Sequence, residues 1–201
     1  MSTTKLQIIG ITGKAGSGKD TVANYFIDSK HYMKLTFGEA VKDIVQIITG
    51  WSRDMIEGQT VESRELRETV VHQNYNMNCR QLMQFVGTDL FRNNLDQNVW
   101  INIVNDKVKK LILDINSGTQ TLKHVKGIII SDVRFDNEAQ FIKSIGGTIV
   151  KINRNVAIES SNHQSERGIS IATDYVIENN TTIDDLYNQI DYIIYDMKHK
   201  K

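Results

Sequence analysis

Residues Leu6 to Thr12, LQIIGIT, are almost wholly apolar, a run suited to a strand covered on both faces. Between Gly18 and Ser29 the apolar positions change period: Val22, Ala23, Phe26 and Ile27 recur at helical spacing. A short strand over Lys34–Phe37 then leads to a helix over Glu39–Thr49, with Val41, Ile44, Val45 and Ile48 on one face. The segment from Gly50 to Asn78 is charged and poorly periodic, and reads as helical pieces and loops outside the central core. Helical spacing returns in Cys79–Arg92, through Leu82, Val86 and Leu90, and in Val99–Ile115, through Ile103, Val104, Val108, Leu111 and Ile112. HVKGIIISD is a second buried strand, ending at Asp132; a helix around Asn137–Ile145 and a strand Gly147–Ile152 follow. Asn153–Ala172 has no apolar period and reads as a loop or lid. The chain closes on the strand DYVIEN and on a helix carrying Ile183, Leu186, Ile190, Ile193 and Ile194, with Thr182 and Asp185 spaced as an approximate capping box.

Strands alternating with helices predict an α/β fold with a parallel sheet, right-handed crossovers and ligands at the carboxyl ends of the strands. The 201 residues suffice for one well-buried core. Composition narrows the partners. Lys plus Arg and Asp plus Glu are equal at 24 each, so no basic field argues for nucleic acid or an anionic membrane. The only cysteine, Cys79, fits a reducing compartment, and a cytoplasmic location (the host's, for a viral source) is expected. No apolar run reaches membrane-spanning length, and MSTTKLQ lacks a signal-peptide core.

The chemistry begins where the first strand meets the first helix. GKAGSGKDT, residues 13–21, nearly matches G-x-x-x-x-G-K-[ST], whose backbone N–H groups converge on phosphate at a helix N-terminus. Gly13, Gly18 and Lys19 are in register, and Lys19 can reach the β- and γ-phosphates. Asp20 stands where a magnesium-binding hydroxyl is usual, and Thr21 supplies a hydroxyl one residue late. Two readings of Asp20 are open: it holds Mg²⁺ directly or through water, or it complements the helix N-terminus. Asp132, at the end of the second buried strand, is the other candidate for the metal's water shell, or else a helix cap. Arg134 would emerge near a transferring phosphoryl group. Arg80, Arg92, Arg154 and Arg167 are further cations that the sequence does not rank; Arg80 and Arg92, twelve residues apart on one predicted helix, cannot grip one phosphate together. His163 has no His or Cys at ligand spacing, which disfavours a metal role.

The segments GITGKAGSGKDTVA, FGEAVKD, CRQLMQFVGTDLFRNNLDQNVW, ISDVRFDNEAQFI, HQSE and DYVIENNTTIDDLYNQI, in that order, resemble the phage and viral deoxynucleoside monophosphate kinases. These belong to the nucleoside monophosphate kinase group of P-loop proteins. The resemblance runs through nearly the whole chain and is weakest over Trp51–Met77. It implies a three-layer αβα P-loop NTPase fold forming a single kinase domain. Residues 1–38 and 125–201, with much of 93–124, would make the core. About 39–92 would be a helical monophosphate-binding insertion, and about 153–172 a small lid.

The implied activity is transfer of the γ-phosphoryl group of ATP to a dNMP with Mg²⁺, giving dNDP and ADP. Lys14, Gly16, Gly18, Lys19, Asp20 and Thr21 would hold ATP and metal, with Lys14 a candidate for the charge that some relatives carry at the Ala15 position. Asn179 would lie near the adenine. Val41, Lys42, Arg80, Gln84, Thr88 and Arg92 would serve the acceptor, with His163 and Glu166 as lid residues beside its nucleoside. Arg134 and Arg154 would act on the transferring phosphoryl group. Competing readings are a dephospho-CoA or phosphomevalonate type of kinase, and a regulatory ATPase, against which no N-K-x-D sequence or other switch signature occurs. The helix Val99–Ile115 offers a face for a homodimer.

Overall fold

The structure is a computed structural model, described here for residues 6–117, 122–155 and 163–199. The chain divides into two compact units, Met1–Thr36 with Val104–Lys201, and Phe37–Ile103.

The first unit is built on a five-stranded sheet, parallel at every pairing, in the order β2–β5–β1–β6–β7. These strands are β1 (Gln7–Thr12), β2 (Tyr32–Leu35), β5 (Gly127–Ile130), β6 (Thr148–Asn153) and β7 (Tyr175–Glu178). Alternation sorts their side chains between two faces. Ile9, Ile11, Ile129, Val150, Ile152 and Ile177 pack with Val22, Ala23 and Phe26 of α1 (Lys19–Lys30) and with Leu186, Ile190 and Ile193 of α8 (Ile183–His199). Tyr25 and Tyr187 stack at 4.1 Å between the two helices. On the opposite face lies α7 (Asp136–Ser144), so close that a Cβ at Gly10 would fall 2.6 Å from Cδ1 of Ile142. The αβα layering of a P-loop fold follows. All four residues of β5 are buried, as a strand covered on both faces requires.

Two backbone bonds tie the carboxyl edge together: Val133 N–H donates to Ile11 O at 3.0 Å, and Ser131 N–H to Leu35 O at 3.3 Å. The chain leaves β1 toward one side of the sheet and β5 toward the other, so the switch in strand order sits at these two ends.

The second unit carries α2 (Glu39–Thr49), α3 (Arg53–Glu57), α4 (Val61–Thr69), a hairpin of β3 (Val71–His72) and β4 (Met77–Asn78), and α5 (Cys79–Gln84). A π-helical run, Phe85–Arg92, continues α5. The last long helix, α6 (Val99–Asn116), begins here and continues into the first unit. No helix among the described residues is long and apolar enough to cross a membrane.

Four predicted elements differ in detail. β2 covers residues 32–35 instead of 34–37, because His31 takes a left-handed conformation (φ 59°) and turns the chain straight from α1 into the sheet. Residues 79–92 do not form one regular α-helix. With bonds such as Asn93 N–H to Thr88 O, the wider π turn rotates Leu90 outward (46% exposed) and Arg92 inward (4%). Ile48 and Ile183, placed on buried faces by spacing, are exposed near the ends of their helices. Of the region anticipated as a lid, residues 156–162 lie outside the described residues.

Candidate active site

In the first unit the chain turns from β1 into α1 through three glycines of positive φ, Gly13, Gly16 and Gly18. Two are fixed by close approach as well. A Cβ on Gly13 would sit 2.5 Å from Ile152 O, and one on Gly18 would collide with the Asn179 amide. That amide donates to Ser17 O at 2.9 Å, so Asn179, beyond β7, braces the loop from a position 162 residues away. Ser17 is buried beneath the turn, and its Oγ makes no hydrogen bond.

The Lys19 ammonium donates to Gly13 O at 2.8 Å and Lys14 O at 2.7 Å. Burial, and then the Arg134 guanidinium, pull its pKa down to about 8; Asp20, Glu166 and Asp132 oppose that fall. Four ionisable groups, from α1, the stretch after β5 and the 163–166 turn, therefore act on this lysine.

Asp20 is well exposed, and Lys34 of β2 lies 3.3 Å from its carboxylate. Lys14, Gly16 and Thr21 are exposed on the loop and the first turn of α1. Arg134 donates to Glu166 Oε1 at 2.9 Å and Ser165 O at 3.4 Å. Its backbone is set by Glu138, which is 2% exposed and whose Oε2 accepts from the N–H of Arg134 at 2.8 Å and of Phe135 at 3.1 Å. His163 caps a short 3₁₀ turn (Gln164–Glu166), with Nδ1 accepting from Ser165 N–H at 3.2 Å. Arg154 is exposed just past β6.

Among the described residues no group of three His, Cys, Asp or Glu forms a metal cage. Asp20 and Asp132, both of which act on Lys19, are nevertheless a donor set suited to Mg²⁺, which keeps several waters and takes one or two carboxylates plus phosphate oxygens.

The second unit gathers a different set. Val41 is buried, and its methyls would meet a Cβ on Gly87 at 3.4 Å. Lys42 donates to Glu57 at 2.6 Å, and Arg53 donates to the same carboxylate at 2.8 Å. Burial alone would raise the Glu57 pKa; hydrogen bonds from Lys42 and Arg53 bring it below the ordinary carboxylate range. Arg80 Nε lies 2.6 and 2.8 Å from the two oxygens of Glu68, while Arg67 stands 3.5 Å from the same carboxylate. Gln84, one turn after Arg80, keeps a buried Nε2 without a hydrogen bond. Thr88 is buried in the π run, and Arg92 donates to Gln97 O at 3.0 Å. Cys79 is buried, which pushes its thiol up to about 11 and keeps it neutral.

Lys34, Glu138, Arg67 and Glu68 did not emerge from sequence reasoning. Only Glu138 left a signal, an acid in the first turn of a predicted helix directly after DVRF.

A parallel sheet whose first strand runs into a glycine loop and lysine, with an acid at the neighbouring strand end, defines a P-loop protein. The sequence profile described as deoxynucleotide monophosphate kinase matches residues 48–190. A chain of Acanthamoeba polyphaga mimivirus carrying that family's name is 34% identical over 190 residues, covering 91% of this chain and 93% of that one. The deoxynucleotide monophosphate kinase of Enterobacteria phage T4 is 31% identical over 113 residues, covering 55% of this chain and 43% of that one. The Escherichia phage RB69 enzyme is 25% identical over 130 residues, 64% of this chain and 50% of its own. The chain belongs to the deoxynucleotide monophosphate kinase family. It is a nucleotide kinase.

Proposed function

We propose that the protein transfers the γ-phosphoryl group of ATP to a deoxynucleoside 5′-monophosphate. An oxygen of the acceptor phosphate attacks the γ-phosphorus, the bond to the β,γ-bridging oxygen breaks, and dNDP and ADP result. The observation that carries this reading is the Lys19 ammonium on the Gly13 and Lys14 carbonyls, in a loop that Asn179 braces, with Asp132 and Arg134 in electrostatic reach. Such transfer is almost entirely positioning and charge neutralisation, which this set of groups supplies.

The backbone of residues 13–18 holds the donor phosphates, and Lys19 leaves its carbonyl partners for the β- and γ-oxygens. Asp20 and Asp132 would hold Mg²⁺, which neutralises phosphate charge when bound. Arg134 and Arg154 steady the equatorial oxygens of the transferring group. Arg80 grips the acceptor phosphate, with Gln84, Lys42 and Val41 on the acceptor side and His163 and Glu166 toward its nucleoside. Glu138, through the backbone of residues 134 and 135, is a positioning residue for Arg134.

The test is incubation with ATP and a panel of four dNMPs, with ribonucleotide controls, reading ADP and dNDP by chromatography. At least one dNMP gives dNDP stoichiometric with ADP. ADP at background with every acceptor would refute the proposal.

A further inference from the structure

We propose that Glu68 is an exchangeable counter-ion in an acceptor-phosphate site formed by Arg80 and Arg67, the carboxylate holding both guanidiniums until a phosphate monoester displaces it. This rests on the reading of Arg80 given above and adds to it a second arginine and a competing anion.

Both oxygens of Glu68 face Arg80 Nε, at 2.6 and 2.8 Å, and Oε1 is 3.5 Å from Arg67 Nη2. Two guanidiniums thus converge on one carboxylate. Carboxylates and phosphate monoesters are interchangeable partners for this geometry, and both favour the planar guanidinium fork.

Arg67 is already built into place. Its Nη1 donates to Glu57 O at 3.1 Å and lies where a Cβ on Gly58 (φ 62°) would fall, 2.7 Å away. Its buried Nε still has no hydrogen-bond partner, and neither has Nε2 of Gln84, on the same helical face as Arg80. A buried donor left unpaired is costly, and an anion accepting from these two, on α4 and α5, would relieve that cost. The Glu68 side chain is about a third exposed, at 37%, so it can swing into solvent. An ion pair so exposed is weak, and its displacement is correspondingly easy.

The experiment titrates wild type, Glu68→Gln and Arg67→Lys calorimetrically with inorganic phosphate and with each dNMP. Saturating ADP keeps the phosphate loop filled, thermal melts verify folding, and the dNMP panel assay runs in parallel. Glu68→Gln binds phosphate and the acceptor about two- to fivefold more tightly, because no carboxylate competes. Arg67→Lys binds both more weakly, and Arg80→Ala abolishes the phosphate signal. Unchanged or weaker phosphate binding by folded Glu68→Gln overturns the proposal and leaves Glu68 a structural partner. If that variant does not fold, Glu68→Asp, with a shorter reach, must tighten binding in the same direction or the proposal falls. Tighter phosphate binding without turnover of any dNMP would keep the anion site and remove the kinase reading. Turnover with no effect of Glu68 would do the reverse.

Discussion

Lys19 and the arginines of the second unit are held by opposite means. Lys19, in the first unit, rests on two neutral carbonyls and is so desolvated that its pKa falls to about 8. Arg53, Arg67 and Arg80, in the second, are matched to carboxylates at Glu57 and Glu68. A cation on backbone dipoles is poised for any arriving anion, because no negative group must leave first. A cation on a carboxylate is selective: the newcomer must outbid a resident charge. On the function proposed above, the donor polyphosphate would bring ample charge to the first arrangement, and the smaller acceptor phosphate would meet the second.

The contrast breaks most sharply at Lys19. Lys19→Met is expected to lower kcat by at least about a hundredfold, with the melt and the second unit's phosphate binding little changed. Steady-state kinetics beside a thermal melt check this, and a near-normal kcat would remove the lysine from the chemistry. Arg80→Ala should act on the other partner, raising KM for the dNMP about tenfold to a hundredfold while KM for ATP stays near normal. An equal rise in both would erase the distinction between the two groups.

Glu138→Ala should cost about 2–3 kcal/mol of stability, since a buried carboxylate taking two backbone N–H bonds is lost. Denaturant unfolding reads the cost, and kcat falls with it as Arg134 loses its fixed backbone. The smallest effect concerns protons. Lys19 is depressed in the folded protein relative to an ordinary lysine, so between about 8 and 10.5 the unfolded chain binds more protons and stability rises with pH through this group. ATP bound beside the ammonium, as proposed above, would reverse the depression. Binding near pH 8.5 should therefore take up a fraction of a proton, seen as buffer-dependent calorimetric heat and absent in Lys19→Met.

Much of the first unit was legible because local chemistry and global fold demand the same residues there. The LQIIGIT run, the glycines of 13–18 and the GIIIS run each have one physical use, and each occurs where that use requires. The second unit was harder to read for stated reasons. β3 and β4 are two residues each, too short to show alternation, and the π run departs from the 3.6-residue period that pointed to Leu90. Lys34 and Glu68 drew no notice because a charged residue in a polar context is ordinary. Only the neighbours brought in by folding, Asp20 for the one and two arginines for the other, make them chemical.

The Asn179 brace has a consequence for the chain as it is made. The loop of residues 13–18 leaves the ribosome long before the side chain that holds Ser17, which lies 162 positions later. β1 gains its sheet partners β5 and β6 only after residues 127 and 148 as well. Until then the nascent polypeptide carries the phosphate-loop sequence without the framework that shapes it. Nucleotide capture thus waits on residues made long after the loop itself, and ATP would have little hold on the loop before Asn179 is in place.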